Sequence, residues 1–183
     1  MPISFETYQR VALEDPESQW ELVCGRLREK PPMTTEHEDV ARNLAWELSI
    51  RLPRQEFSVG QDSPKLGVPG GNYRVPDVCV IPREVVRRRR REHPAMLEVY
   101  NEPMLLVVEV WSPSTGESDI DNKLKEYQLR GDLEIWLIHP YERTLTAWRR
   151  RPGGSYTEEI YRGGTVQPAH LPNVTINLDT LFE

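Results

Sequence analysis

Cysteine is scarce in this chain: Cys24 and Cys79 are the only two among 183 residues. They stand far apart and form no metal-type pair, which argues against a zinc site. Two free, buried thiols in a reducing cytosol are the expectation. Long apolar runs are missing as well. No stretch approaches the ~20 residues that a membrane helix needs, so no membrane partner is expected. The opening MPISFETYQR lacks the basic-then-apolar pattern of a secretory leader, and a cytoplasmic location follows as an expectation. A basic excess is also absent. The formal net charge of -6 counts against a protein dedicated to coating nucleic acid. Internal repeats and low-complexity linkers are lacking, and 38% of the residues are hydrophobic. One domain spanning residues 1–183, with a real core, is therefore expected.

The basic residues that are present are clumped, in REVVRRRRRE (83–92) and WRRRP (148–152). A local basic patch attracts phosphate even on an acidic protein, which makes Arg87, Arg88 and Arg90 candidate nucleic-acid contacts. The plainer reading is a solvated helix or loop face.

Hydrophobic periodicity organises the rest. Residues 4–13 read as a short helix with Phe5 and Tyr8 on its apolar side. WELVCGRLREK (20–30) reads as two short strands turned near Gly25 and ended by Pro31 and Pro32. TTEHEDVARNLAWELSIRL carries a threonine cap, early acids and Val40, Leu44 and Leu48 four apart, the mark of a helix stopped by Pro53. GVPGGNY (67–73) reads as a loop and RVPDVCVIP (74–82) as an apolar strand. MLLVVEVW (104–111) is a second such strand, and SPSTGES a loop. DIDNKLKEYQLRG is a helix with Gly131 past its end. LEIWLIHP, TLTAWRR and SYTEEIYRGG follow as strands, and the tail NVTINLDTLFE as a last extended piece. Strands and helices interleave, so the predicted fold is α/β (α+β-like): a central mixed sheet flanked by helices, with extra strands near the N-terminus.

Two of these strands each carry one carboxylate, Asp77 in VPDVCVI and Glu109 in LLVVEVW. An ionised carboxylate is costly to bury alone, so such groups are paired, hydrogen-bonded or bound to metal. Paired strands would let the two converge, and two hard oxygen ligands plus waters are what magnesium typically accepts. The alternative for either residue is a solvent-facing edge position or a salt bridge.

The order P-D, then E-x-x, resembles the restriction-endonuclease-like PD-(D/E)XK superfamily, in which a lysine follows two places after the glutamate. Here that position is Trp111. The longer string EVWSPST, Asp119, Lys123, Tyr127, Gly131 and EIWLIHP is similar to the bacterial Uma-type family of endonucleases. WELVCGRL, the proline pair, His37 in EHEDVARNLAWEL, VPDVCVIP and YRGGTVQPAHLPNVTINLDTLFE fall in that family's order. The resemblance covers nearly the whole chain.

It implies a Mg2+-dependent DNA endonuclease, with Mn2+ as a substitute, whose metal sits between Asp77 and Glu109. It also implies that the catalytic lysine has moved onto the following helix, as Lys123, with Asp119 one turn before it as an orienting group. Without the resemblance, Lys123 would read as an exposed helix lysine. His37 would line the same pocket, with Glu36 and Glu38 as alternatives and Glu21 as a further candidate. Tyr127 and Trp136 read as core, since both lie on apolar faces. DNA is the expected partner, and a homodimer is compatible with the sequence. A nucleic-acid-binding or interaction module of the same fold, without cleavage, is the alternative function.

Overall fold

The computed structural model describes residues 2–183, with the side chains of 117 and 118 excepted. Among the described residues, five helices and thirteen strands follow in chain order. Helix α1 (Phe5–Glu14) is capped by Ser4, whose hydroxyl accepts from Thr7 N–H. Strands β1 (Trp20–Val23) and β2 (Arg26–Glu29) form a hairpin. Its turn residues Cys24 and Gly25 both have positive φ, 50° and 71°, which matches the right-handed twist of the flanking strands. Cys24 is therefore exposed, against expectation, while Cys79 is buried.

Helix α2 (Thr35–Arg51) is capped by Thr34 and ends at Leu52, before Pro53. Next come β3 (Phe57–Gln61), β4 (Lys65–Val68) and β5 (Asn72–Arg74). The stretch read as a loop is thus mostly the β4–β5 hairpin, closed by Gly70 and Gly71 at φ 84° and 73°. Strand β6 (Val78–Pro82) leads directly into α3 (Arg83–Glu92). Strand β7 (Val99–Tyr100), β8 (Leu106–Val110), α4 (Glu117–Arg130) and β9 (Glu134–His139) complete the centre. Strands β10 (Thr144–Arg150), β11 (Tyr156–Tyr161), β12 (Thr165–Val166) and β13 (Ile176–Asn177) follow. The tail does not stay extended: Asn177 caps a short last helix, α5 (Leu178–Leu181).

The central mixed sheet has a second, smaller mixed sheet beside it, built largely from the extra strands of the N-terminal half. The larger runs β11-β10-β9-β8-β6-β3 and the smaller β2-β1-β5-β4-β7, beside a β12–β13 ribbon. Each sheet is mixed, through the parallel pairs β8–β9 and β4–β7. The segment expected as a single strand over 74–82 is where they part. Arg74 ends β5, Val75 to Asp77 cross over, and Val78 opens β6 in the other sheet. Pro76 has no N–H to donate to a ladder, so neither sheet can run through it.

One face of the larger sheet (Val78, Val80, Leu106, Val108, Val110, Trp136, Ile138) packs on α2 through Val40, Leu44 and Leu48, with α5 alongside. The other face (Cys79, Ile81, Val107, Ile135) meets Val85 and Val86 of α3, Tyr127 of α4, and Leu66, Val68 and Tyr100 of the smaller sheet. Of the functional candidates, Glu109 and Lys123 lie on this second face.

Candidate active site

Val78 in β6 lies opposite Val108 in β8, so the antiparallel register brings Asp77 beside Glu109 one step further on. Strand side chains alternate between faces, and Glu109 shares the face of Val107. Helix α4 covers that face with Asp119, Lys123 and Tyr127, buried at four-residue spacing. Asp77 is 1% exposed and Glu109 5%, so each needs partners.

Glu109 finds them on α4. Lys123 Nζ lies 2.9 Å from its Oε2, and the Tyr127 hydroxyl donates to Oε1 at 2.6 Å. Asp77 accepts from Lys30 Nζ at 2.6 Å on Oδ1 and from Val110 N–H at 2.6 Å on Oδ2. Lys30 also reaches Asp62 at 2.7 Å. The buried His37 places Nε2 3.1 Å from Asp77 Oδ2, without hydrogen-bond geometry at either imidazole nitrogen.

A second ring of charges lies behind. Glu21 is buried in β1, 3.6 Å from Lys123 Nζ, and accepts from Arg74 Nη1 at 3.1 Å and Val75 N–H at 3.0 Å. Arg74 also pairs with Glu126 at 2.7 Å.

These surroundings drive the two central carboxylates apart. Burial alone would raise Asp77, but the Lys30 ammonium, with His37 and Lys123 behind it, outweighs burial and holds Asp77 below the usual carboxylate range. At Glu109 burial prevails, the nearby Asp77 charge adds to it, and the carboxyl is raised despite Lys123. Burial disfavours the charged form of Lys123, yet Glu109 and Glu21 outweigh it and keep the ammonium protonated.

Several expectations change here. Asp119 shares the Lys123 face but pairs with Arg28 at 2.6 Å and Arg74 at 3.5 Å, so it does not orient the lysine. Glu36 and Glu38 point to solvent while His37 is buried, because neighbours on a helix diverge by ~100°. Tyr127 is core and also a ligand of Glu109. Trp136 is core, its indole donating to Glu134 at 2.7 Å.

The arginine helix is not brought to this site. It leaves β6 from Pro82, roughly 15 Å of strand away from Asp77. Arg87 and Arg90 on it are exposed, and Arg88 is tied to Glu102.

Lys30 and Arg74 were missed. A lysine before two prolines and an arginine ending a turn-rich stretch carry no pattern that marks burial. Glu21, the further candidate, is buried in β1 as expected of a carboxylate inside the apolar WELV, the same signal that marks Glu109.

A cleft of about 430 Å³ is lined by Lys30 and His37, the neighbours of Asp77, and walled by Pro32 and Met33, with Glu17, Glu29, Glu38 and Asp62 also in its lining. Among the described residues no three His, Cys, Asp or Glu side chains converge as a metal-holding group. Asp77 and Glu109 are two hard donors, and the buried, unbonded His37 imidazole borders them. That donor set suits a divalent ion that keeps waters or substrate oxygens in its remaining positions.

Three comparisons bear on this geometry. Residues 5–179 match the Uma2 family, described as "Putative restriction endonuclease". A comparison with curated proteins gave no match. Among solved structures, a protein from Anabaena variabilis described as a "putative nuclease belonging to DUF820" superposes with a TM-score of 0.78 at 18% identity, over 99% of this chain and 98% of that one. The likeness shows a shared fold, and the family match spans the strands and helices that carry Glu21, His37, Asp77, Glu109 and Lys123. The chain belongs to the Uma2 family.

Proposed function

We propose that this protein is an endonuclease that hydrolyses phosphodiester bonds in DNA with Mg2+, or Mn2+ in its place, held by Asp77 and Glu109. The observation that carries this reading is the pair of buried carboxylates from adjacent strands, with a buried lysine 2.9 Å from one of them. A bound divalent ion would supply charge neutralisation and a water of lowered pKa.

The chain's own groups divide the remaining work. Asp77, held ionised by Lys30, is a fixed negative charge. Glu109, on the adjacent strand, is the second carboxylate that would hold the ion. Tyr127 and Lys123 fix its orientation, and Lys123 carries the positive charge that the developing phosphorane needs. His37, buried in the cleft lining with Nε2 3.1 Å from Asp77 Oδ2, would help to fix that carboxylate beside the substrate.

Calorimetric titration of Mg2+ and Mn2+ into wild type, Asp77→Asn and Glu109→Gln, beside a cleavage assay on plasmid DNA, tests this. Binding lost in both variants and Mg2+-dependent nicking by wild type are expected. Absence of both metal binding and cleavage of plasmid or single-stranded DNA in wild type would overturn the proposal.

We assign the exposed arginines of α3 to the DNA backbone away from the scissile bond. Replacing Arg87, Arg90 and Arg91 by Gln should flatten the salt dependence of duplex binding by about 0.9 in log-log slope per lost contact. Arg88, already neutralised by Glu102, should add little. An unchanged slope would leave the helix a solvated face.

A second reading, a nucleic-acid-binding or interaction module without cleavage, is favoured by one observation. All four oxygens of Asp77 and Glu109 already have a partner close by.

A further inference from the structure

Trp111 occupies the place where the PD-(D/E)XK pattern would put its lysine, and it is not part of the apolar core. Its N–H donates to Ile138 O at 2.7 Å, so the parallel pairing that sets Glu109 opposite Leu137 continues one pleat further and sets Trp111 beside His139. Their rings stack, 4.4 Å between centroids and 15° between planes. Tyr141 meets Trp111 edge-on at 5.8 Å. Alternation along β8 keeps Trp111 on the same face as Glu109, about 7 Å along the strand. The cluster is not sealed: Trp111 is partly exposed and Tyr141 47% exposed. The Tyr141 hydroxyl is held at 2.9 Å from Thr34 Oγ1, next in sequence to Pro31, Pro32 and Met33, which line the cleft to Lys30 and His37.

We propose that Trp111, His139 and Tyr141 form a stacking platform for an unpaired nucleobase next to the scissile phosphodiester, which makes the substrate class single-stranded or frayed DNA. The inference rests on the phosphodiester reading above. A spacing of about 7 Å from carboxylate to platform is comparable to one extended nucleotide step, since a strand segment spans at least 3.4 Å per nucleotide even when wound into a duplex.

Charge points the same way. Duplex binding draws on many phosphate contacts, but the cleft lining holds four acidic side chains and one lysine. Affinity there must come from a source that phosphate repulsion does not cancel, and base–aromatic stacking is one. It needs only an exposed π-face, so the base must be out of its pair.

The test uses the full chain in EDTA, where no cleavage occurs, and a thymidine dodecamer carrying a single 2-aminopurine moved along its length. Quenching of that base confined to a short window is expected for wild type. Trp111→Leu and Tyr141→Ala should each abolish the window and weaken Kd about tenfold. Trp46→Ala, at an exposed tryptophan on α2, should do neither. Because Tyr141 is exposed, its variant remains interpretable if Trp111→Leu misfolds, and thermal melts identify that case.

Quenching without any cleavage after Mg2+ or Mn2+ is restored would leave the platform standing and remove the hydrolase reading. Cleavage of single strand and duplex at equal rates, with quenching unaltered in Tyr141→Ala, would overturn the platform and leave hydrolysis intact. No oligonucleotide binding by wild type would overturn it too.

Discussion

Lys123 and Glu109 are each almost wholly buried, so their pairing has consequences for stability as well as for any chemistry. Removing one member of a buried pair leaves the other's charge uncompensated, which costs about 3–5 kcal/mol. Lys123→Met should therefore lower the urea midpoint and the Tm, and not merely affect activity. Lys125→Met, at an exposed position on the same helix, should leave both unchanged. The double variant Lys123→Met/Glu109→Gln should recover part of the loss, since it leaves no isolated charge. Equal melts for all three would mean that the pair contributes nothing to stability.

The two carboxylates should also respond oppositely to pH. Asp77 has a folded pKa below its unfolded value. Its stabilisation is fully present above the unfolded pKa, about 4, and is lost as pH falls through the folded value. Glu109 has a folded pKa above its unfolded value, so its contribution is present below about 4.3 and is lost as pH rises through the folded value. Chemical denaturation of the metal-free protein across pH 3–8 should thus show a shallower acid limb for Asp77→Asn. Glu109→Gln should instead lose the decline seen on raising the pH above 4.3. Shifts of the same sign in both would contradict the assignment.

At the scale of elements, α4 matters most, because its rotation decides which lysine meets Glu109. Gly131 terminates it in the left-handed region at φ 83°, its N–H donating back to the Tyr127 and Gln128 carbonyls. A Cβ there would meet only ordinary contacts, the nearest at 3.7 Å. The cost of Gly131→Ala should therefore be purely conformational, about 1–2 kcal/mol, and Gly131→Asn should cost less. Equilibrium unfolding measures both, and a larger loss for Asn than for Ala would point to side-chain crowding.

For the whole molecule, the charged cluster joins the two sheets. Arg74 from the smaller sheet binds Glu126 of α4, and Glu21 of β1 approaches Lys123. Neither sheet can separate without exposing these pairs, so backbone circular dichroism and tryptophan fluorescence should report one coincident unfolding transition. Arg74→Lys should destabilise despite keeping the charge, because an ammonium cannot span Glu21 and Glu126 as the guanidinium fork does. Separate transitions for the two probes would show that the sheets unfold independently.

Periodicity alone determined the strand at 104–111, the helix carrying Lys123 and its stop at Gly131, since these depend on neighbours a few residues apart. A carboxylate in an apolar strand marked Glu109, while Lys123 stood out only through the family resemblance. Only the tertiary structure decided the rest. Pro76 splits the 74–82 stretch between two sheets because pairing partners, not local propensity, decide where a strand belongs. Lys30 reaches Asp77 across 47 positions and Arg28 takes Asp119 across 91. A long cationic side chain leaves no periodic trace of the carboxylate that it will meet, so those partners are settled by which strands come to lie side by side.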